Sequence, residues 1–193
     1  MKRSIILAIS LILCALPMSA SQFVDVPFDQ VARESSFIVR GTVENTWTAW
    51  DGEHEIIFTY ATVRVSRYVG DATGPDTLVV REVGGTVDGY TQEAIGFPAI
   101  RNGEQVVLFL APWEDNGAEF RIHAYNKGKF LVRNRGGVDV LIEDPIKQGD
   151  GRLERADRFD IRVNAETPAI TFDEFVGMVE AARAGQSVVE TRQ

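Results

Sequence analysis

Two long stretches of strictly alternating side chains constrain this chain more than anything else in it. In the first, Phe37, Val39, Gly41 and Val43 share one face, with Arg40, Thr42 and Glu44 on the other. The second runs from Glu55 to Val69, where Ile57, Ala61, Val63 and Val65 alternate with Tyr60, Thr62, Arg64 and Ser66. A period of two with β-branched and aromatic residues specifies strands with one buried face. Asp51-Gly52 lies between the two stretches, and that dipeptide favours a hairpin turn. An antiparallel hairpin is therefore expected.

Shorter strands are expected at Thr77–Val83, Gln105–Ala111, Glu119–Tyr125, Lys129–Arg133 and Val138–Ile142. Turn residues bracket each of them: Gly74-Pro75, Asn102-Gly103, Asn116-Gly117, Asn126 with Gly128, and Gly136-Gly137. Short strands joined by tight turns fit antiparallel pairing in a sandwich or barrel, since a parallel sheet needs longer crossovers. Residues 143–158 are charged and read as a mobile loop, with Phe159, Ile161 and Val163 as a last edge strand.

Two helices frame this pattern. Phe28 to Ser35 makes a short one, with Pro27 suited to its first position. The C-terminal helix, about 172–184, has a capping box in Thr171 and Glu174 and an Ile170–Phe175 staple. Phe172, Phe175, Val176, Val179 and Ala182 give it an apolar stripe, and Gly185 ends it. The fold expected is mainly β: an antiparallel OB-like barrel of about seven strands carrying a C-terminal helix.

Lys2 and Arg3, the apolar run from Ile5 to Leu16, then Pro17 and the small residues Ser19, Ala20 and Ser21 have the order of a secretory signal. A spanning helix would need about 20 apolar residues. The expected organisation is thus a signal peptide over 1–21, one domain over 22–185, and a disordered tail over 186–193. Export to a periplasm or to the medium follows. The formal net charge of −8 becomes more negative by two when Lys2 and Arg3 leave, which disfavours nucleic acid as a partner. Cys14 is the only cysteine and leaves with the signal, taking disulfides, thiol catalysis and cysteine-bound zinc with it.

Chemistry-bearing motifs are scarce. His54 and His123 have no HExxH or i,i+4 partner, and Asp115-Asn116-Gly117 lacks the remaining ligands of a calcium loop. No G-x-S-x-G elbow is present. No cofactor, metal or catalytic residue is assigned. The segment Glu82 to Gly103 has no clear periodicity, and its glycines leave two readings open, a structural turn system or a recognition loop. Structureless stretches of that length in a compact domain are usually functional or disordered. Gly84, Gly85, Gly89, Tyr90 and Phe97 in that segment, with Trp50 near the hairpin tip, are the candidate binding residues.

The stretches Val31–Val43, Val83–Gly89, Gly96-Phe97-Pro98, Asn102–Leu110 and Gly128-Lys129-Phe130 together resemble, in their order, a family of uncharacterised secreted bacterial proteins. The layout is similar, more loosely, to netrin-like and tissue-inhibitor-of-metalloproteinase domains, which are OB-type barrels. That resemblance implies protein binding and protease regulation. Those inhibitors hold the enzyme's metal through an N-terminal cysteine, which the mature chain lacks. The function expected is an exported, non-enzymatic domain binding an exported protein. The alternatives are a structural envelope-associated protein and a small hydrolase whose site forms only in three dimensions.

Overall fold

The computed structural model describes residues 26–113, 117–143, 146–147, 153–154 and 170–186. The signal over 1–21, Asp115-Asn116, the strand expected from Phe159 to Val163 and the tail beyond Gln186 lie outside them. A short helix α1 (Phe28–Glu34) leads into the long hairpin of β1 (Phe37–Trp50) and β2 (Ile57–Tyr68). Then come β3 (Thr77–Val83), the short pair β4 (Gly85–Val87) and β5 (Tyr90–Gln92), β6 (Gln105–Pro112) and β7 (Glu119–Ile122). A 3-10 turn at Tyr125–Gly128 precedes β8 (Lys129–Arg135) and β9 (Val138–Glu143). Two-residue strands β10 (Ile146–Lys147) and β11 (Leu153–Glu154) pair inside the stretch expected to be a loop, and α2 (Phe172–Arg183) closes the order. No helix among the described residues is long and apolar enough to cross a membrane.

The main sheet has seven strands in the order β1-β2-β3-β7-β6-β8-β9. It is not the closed, all-antiparallel barrel expected from the sequence. β3 and β7 run parallel through Val79↔Glu119 and Val80↔Phe120, because the chain crosses through β4, β5 and β6 before returning beside β3. The mixed sheet curls: β1 pairs with β2 along one edge and, over Phe37–Thr42, with β6 along the other. β8 and β9 continue it past β6.

The Asp51-Gly52 turn is part of a six-residue connection between Trp50 and Ile57, which are paired. Asp51 ties it by accepting from the backbone N–H of Glu55 at 2.8 Å and of Ile56 at 3.2 Å. Pro27 stands one position earlier than expected, at the N-cap of α1.

Alternation produces two cores. Val39, Val43, Ala61, Val63, Leu78 and Val80 point into the curl with Val106, Leu108 and Leu110. Ile38, Val107, Phe109, Phe130 and Leu141 point the other way, against α1 and α2. The stripe of α2 is buried as its spacing requires, and Thr171 and Glu174 bond reciprocally at its start. Phe175 meets Phe28, Phe109 and Phe130 at centroid distances of 5.9, 5.7 and 5.7 Å.

Gly128 has no room for a side chain: a Cβ there would overlap the His123 carbonyl oxygen and lie 2.8 Å from Ile122 Cγ2. Gly128→Ala should therefore lower stability by about 1–3 kcal/mol through overpacking. Urea unfolding of the purified protein checks this, and a cost near zero would mean that the turn relaxes freely.

Candidate functional site

The candidate site grows out of the overhang of β1 and β2 beyond the curl. There Trp47 and Tyr60 are cross-strand partners, and their rings stack at 5.3 Å and 8°. Tyr60 pairs in turn with Arg81 on β3. The Arg81 guanidinium lies over the ring of Phe58 at 4.8 Å and of Trp113 at 4.4 Å, and makes an ion pair with Glu119 at 3.1 Å. Trp113, the residue after β6, donates its indole N–H to the Arg81 carbonyl at 2.8 Å. Both rings and the cation are thus held in one arrangement, which a cation over an aromatic face stabilises.

Phe58, Tyr60, Arg81 and Trp113 form one side of an open groove of about 680 Å³. The β1–β2 loop adds Trp50, Asp51 and Ile56, and the segment before β6 adds Phe97. Phe97 meets Tyr125 edge-on at 4.9 Å. Arg121, Ile122 and Tyr125 complete the lining.

Glu82 lines the same groove and is only 2% exposed. The parity of β3 explains it: Leu78 and Val80 point inward, and Glu82 continues that face at the strand's end. One carboxyl oxygen accepts the backbone N–H of Ile122, while Oε2 has no partner. Burial pushes this carboxyl up to about 8, against the opposing pull of the Ile122 N–H and the Arg121 charge. At neutral pH it is mostly uncharged, as a carboxyl kept from water should be.

The sequence-derived candidates divide. Trp50 and Phe97 line the groove, and Tyr90, 67% exposed, approaches Trp50 edge-on at 6.0 Å. The three glycines shape the β4–β5 hairpin instead. Gly84 donates its N–H to Ile57 and accepts from the Thr59 hydroxyl. At Gly85, φ is 141° and a Cβ would meet Thr48 Cγ2 at 2.7 Å. Gly89 forms the hairpin turn with Asp88. Within the segment Glu82 to Gly103, residues 85–92 form this hairpin, as a structural turn system would, tied down by Thr48 donating to the Thr86 carbonyl at 2.6 Å and by Ile57 N–H donating to Gln92 at 2.7 Å. Arg81, Glu82, Trp113, Arg121 and Tyr125 were not legible as site residues. The one local signal was a carboxylate at an inward position of β3.

A serine, a histidine and a glutamate do meet elsewhere. Ser35 Oγ lies 3.1 Å from His123 Nδ1, and His123 Nε2 lies 3.7 Å from Glu34. The serine hydroxyl donates to the Val31 carbonyl at 2.7 Å, so its proton is held by the helix end. Its remaining role toward His123 is to accept, the reverse of what an activated nucleophile requires. Burial, with the charge of Arg121, lowers the His123 imidazole below its ordinary value and keeps it neutral. This group joins the end of α1 to the residue after β7. No group of His, Cys, Asp and Glu that could hold a metal forms among the described residues.

No protein-family model matches the chain, and no curated protein matches it in sequence.

Proposed function

We propose that this chain is an exported, non-enzymatic binding domain of OB-like type, which holds a segment of a polypeptide partner in the aromatic groove. The observation that carries this reading is the convergence of Trp50, Phe58, Tyr60, Phe97, Trp113 and Tyr125 on one open groove. Rigid aromatic side chains with arginine beside them are what protein-binding hot spots are built from.

Strand order supports the OB-like type. β1 to β3 pair in sequence, β6 lies beside β1, and β7 lies beside β3. Folds of that type bind ligands on the face of the second and third strands, between the loop after the first strand and the loop joining the last two. Here those places hold Phe58 and Tyr60, Arg81 and Glu82, the 51–56 loop and Trp113. This correspondence is one of fold alone, and function resides in the groove's own residues.

The test uses tagged residues 22–193 to capture partners from the native exported fraction. The double variant Trp50→Ala, Phe97→Ala should lose a partner that the unaltered chain retains. Val138→Ala, at an exposed position on the β8–β9 hairpin, should retain it. Equal recovery by the groove variant would place the contact on another surface.

A further inference from the structure

We propose that Arg121 and Glu82 together form a carboxylate-recognition point in the groove, so that the segment held there presents a carboxylate beside apolar side chains. The proposal rests on the groove reading above and names the chemistry of its occupant. Three observations carry it. Arg121 lines the groove half-buried, and no ion pair or hydrogen bond occupies its guanidinium among the described residues. Glu82 lines the same groove, and its Oε2 is buried without a hydrogen-bond partner. The remaining lining is mainly aromatic and aliphatic, which suits the apolar neighbours of the carboxylate.

The charge balance decides between an anionic and a cationic occupant. Arg81 lines the same groove, and its charge is balanced by Glu119 at 3.1 Å. An ammonium group would enter next to Arg81 and Arg121, and would require Glu82 to ionise in a buried position. A carboxylate meets the reverse situation. Arg121 offers it a planar fork of N–H donors, the geometry that pairs best with carboxylates. Glu82, kept uncharged by burial, offers an O–H donor from the groove floor. Both groups are then satisfied without any change of protonation.

Asp51, at the lip, is held in its loop by the N–H groups of Glu55 and Ile56. The chain's formal charge of −8 opposes an acidic partner at long range. Salt at physiological strength screens that field beyond about 8 Å, whereas a direct contact is screened much less.

Four peptides test the proposal: acetyl-Phe-Glu-Phe-amide, its Gln and Lys twins, and acetyl-Phe-Gln-Phe as the free acid. Each is titrated into 15N-labelled protein, residues 22–193, with the amide of Ile122 and the indole N–H groups of Trp50 and Trp113 as reporters. The Glu peptide or the free acid should bind about tenfold more tightly than the neutral Gln amide, as a charge-assisted hydrogen bond provides. Whichever of the two binds better identifies a side chain or a chain terminus as the source.

Arg121→Gln should bring the carboxylate and neutral peptides within about twofold of each other. Glu82→Gln keeps an N–H donor at the same point and should keep the preference. Its loss there would overturn the donor role of Glu82. A Lys peptide as tight as the Glu peptide, or a preference that survives Arg121→Gln, would overturn the proposal. If all peptides shift the reporters equally, carboxylate recognition fails while the groove reading stands. If none shifts them, both fail.

Discussion

Replacing Glu104 by alanine should cost about 3–5 kcal/mol of folding stability, the loss expected when a buried charge is deprived of its partner. Lys129 is fully buried. Its ammonium donates to Glu104 at 2.7 Å and to the Ala99 carbonyl at 2.5 Å, which ties the segment before β6 to the start of β8. The reciprocal change, Lys129→Met, should cost less, because Glu104 retains Arg101 at 3.1 Å and some contact with water. The double variant should recover much of the loss, since the buried ammonium is gone together with the carboxylate. Burial pushes the Glu104 carboxyl up, but the bonds from Lys129 and Arg101 overcome this and hold it below its ordinary value. Its contribution is therefore present above the unfolded carboxylate range and lost as the pH falls through the lowered folded value. Urea unfolding of the three variants at neutral pH measures these costs, and a loss below about 1 kcal/mol for Glu104→Ala would show that water reaches Lys129.

Glu82→Gln should make the protein more stable in alkali. The carboxyl titrates near 8 in the fold and near 4.5 when unfolded, so the folded state holds the extra proton between those values. Stability from the neutral acid is complete below the unfolded value and falls by about 1.4 kcal/mol for each pH unit above it, until the folded value is passed. Glutamine pays no such cost and still accepts the Ile122 N–H. Thermal melts should show the two proteins within about 2 °C at pH 5 and the variant higher by about 5 °C or more at pH 8.5. Titration of every other group cancels in that difference. Parallel curves across the range would mean that Glu82 ionises in the fold as readily as in water.

These two residues show where the sequence was legible and where it was not. β3 appears with the boundaries its alternation suggests, and α2 starts at the capping box written in Thr171 and Glu174. Both signals are local. Period two specifies which side chains share a face and leaves the neighbouring strand open, so the parallel pair β3–β7 could not be read from it. The same gap hid the site. Arg81 reaches Glu119, and Glu82 reaches Ile122, only across that pair. β4 and β5 have three residues each, too few to establish a period, although Asp88-Gly89 between them is hairpin chemistry. Trp50 was legible because it stands beside a loop, and Phe97 because it lies in a stretch without periodicity.

β6 has one further consequence. Val106, Leu108 and Leu110 serve one core while Val107 and Phe109 serve the other, and all five are fully shielded from water. A strand that forms a wall of two compartments joins their fates. Removing α1 and α2 would bare the second face of β6 to solvent, and opening the curl would bare the first. The helices and the groove end of the sheet are therefore coupled through this one strand, although they lie on opposite sides of it.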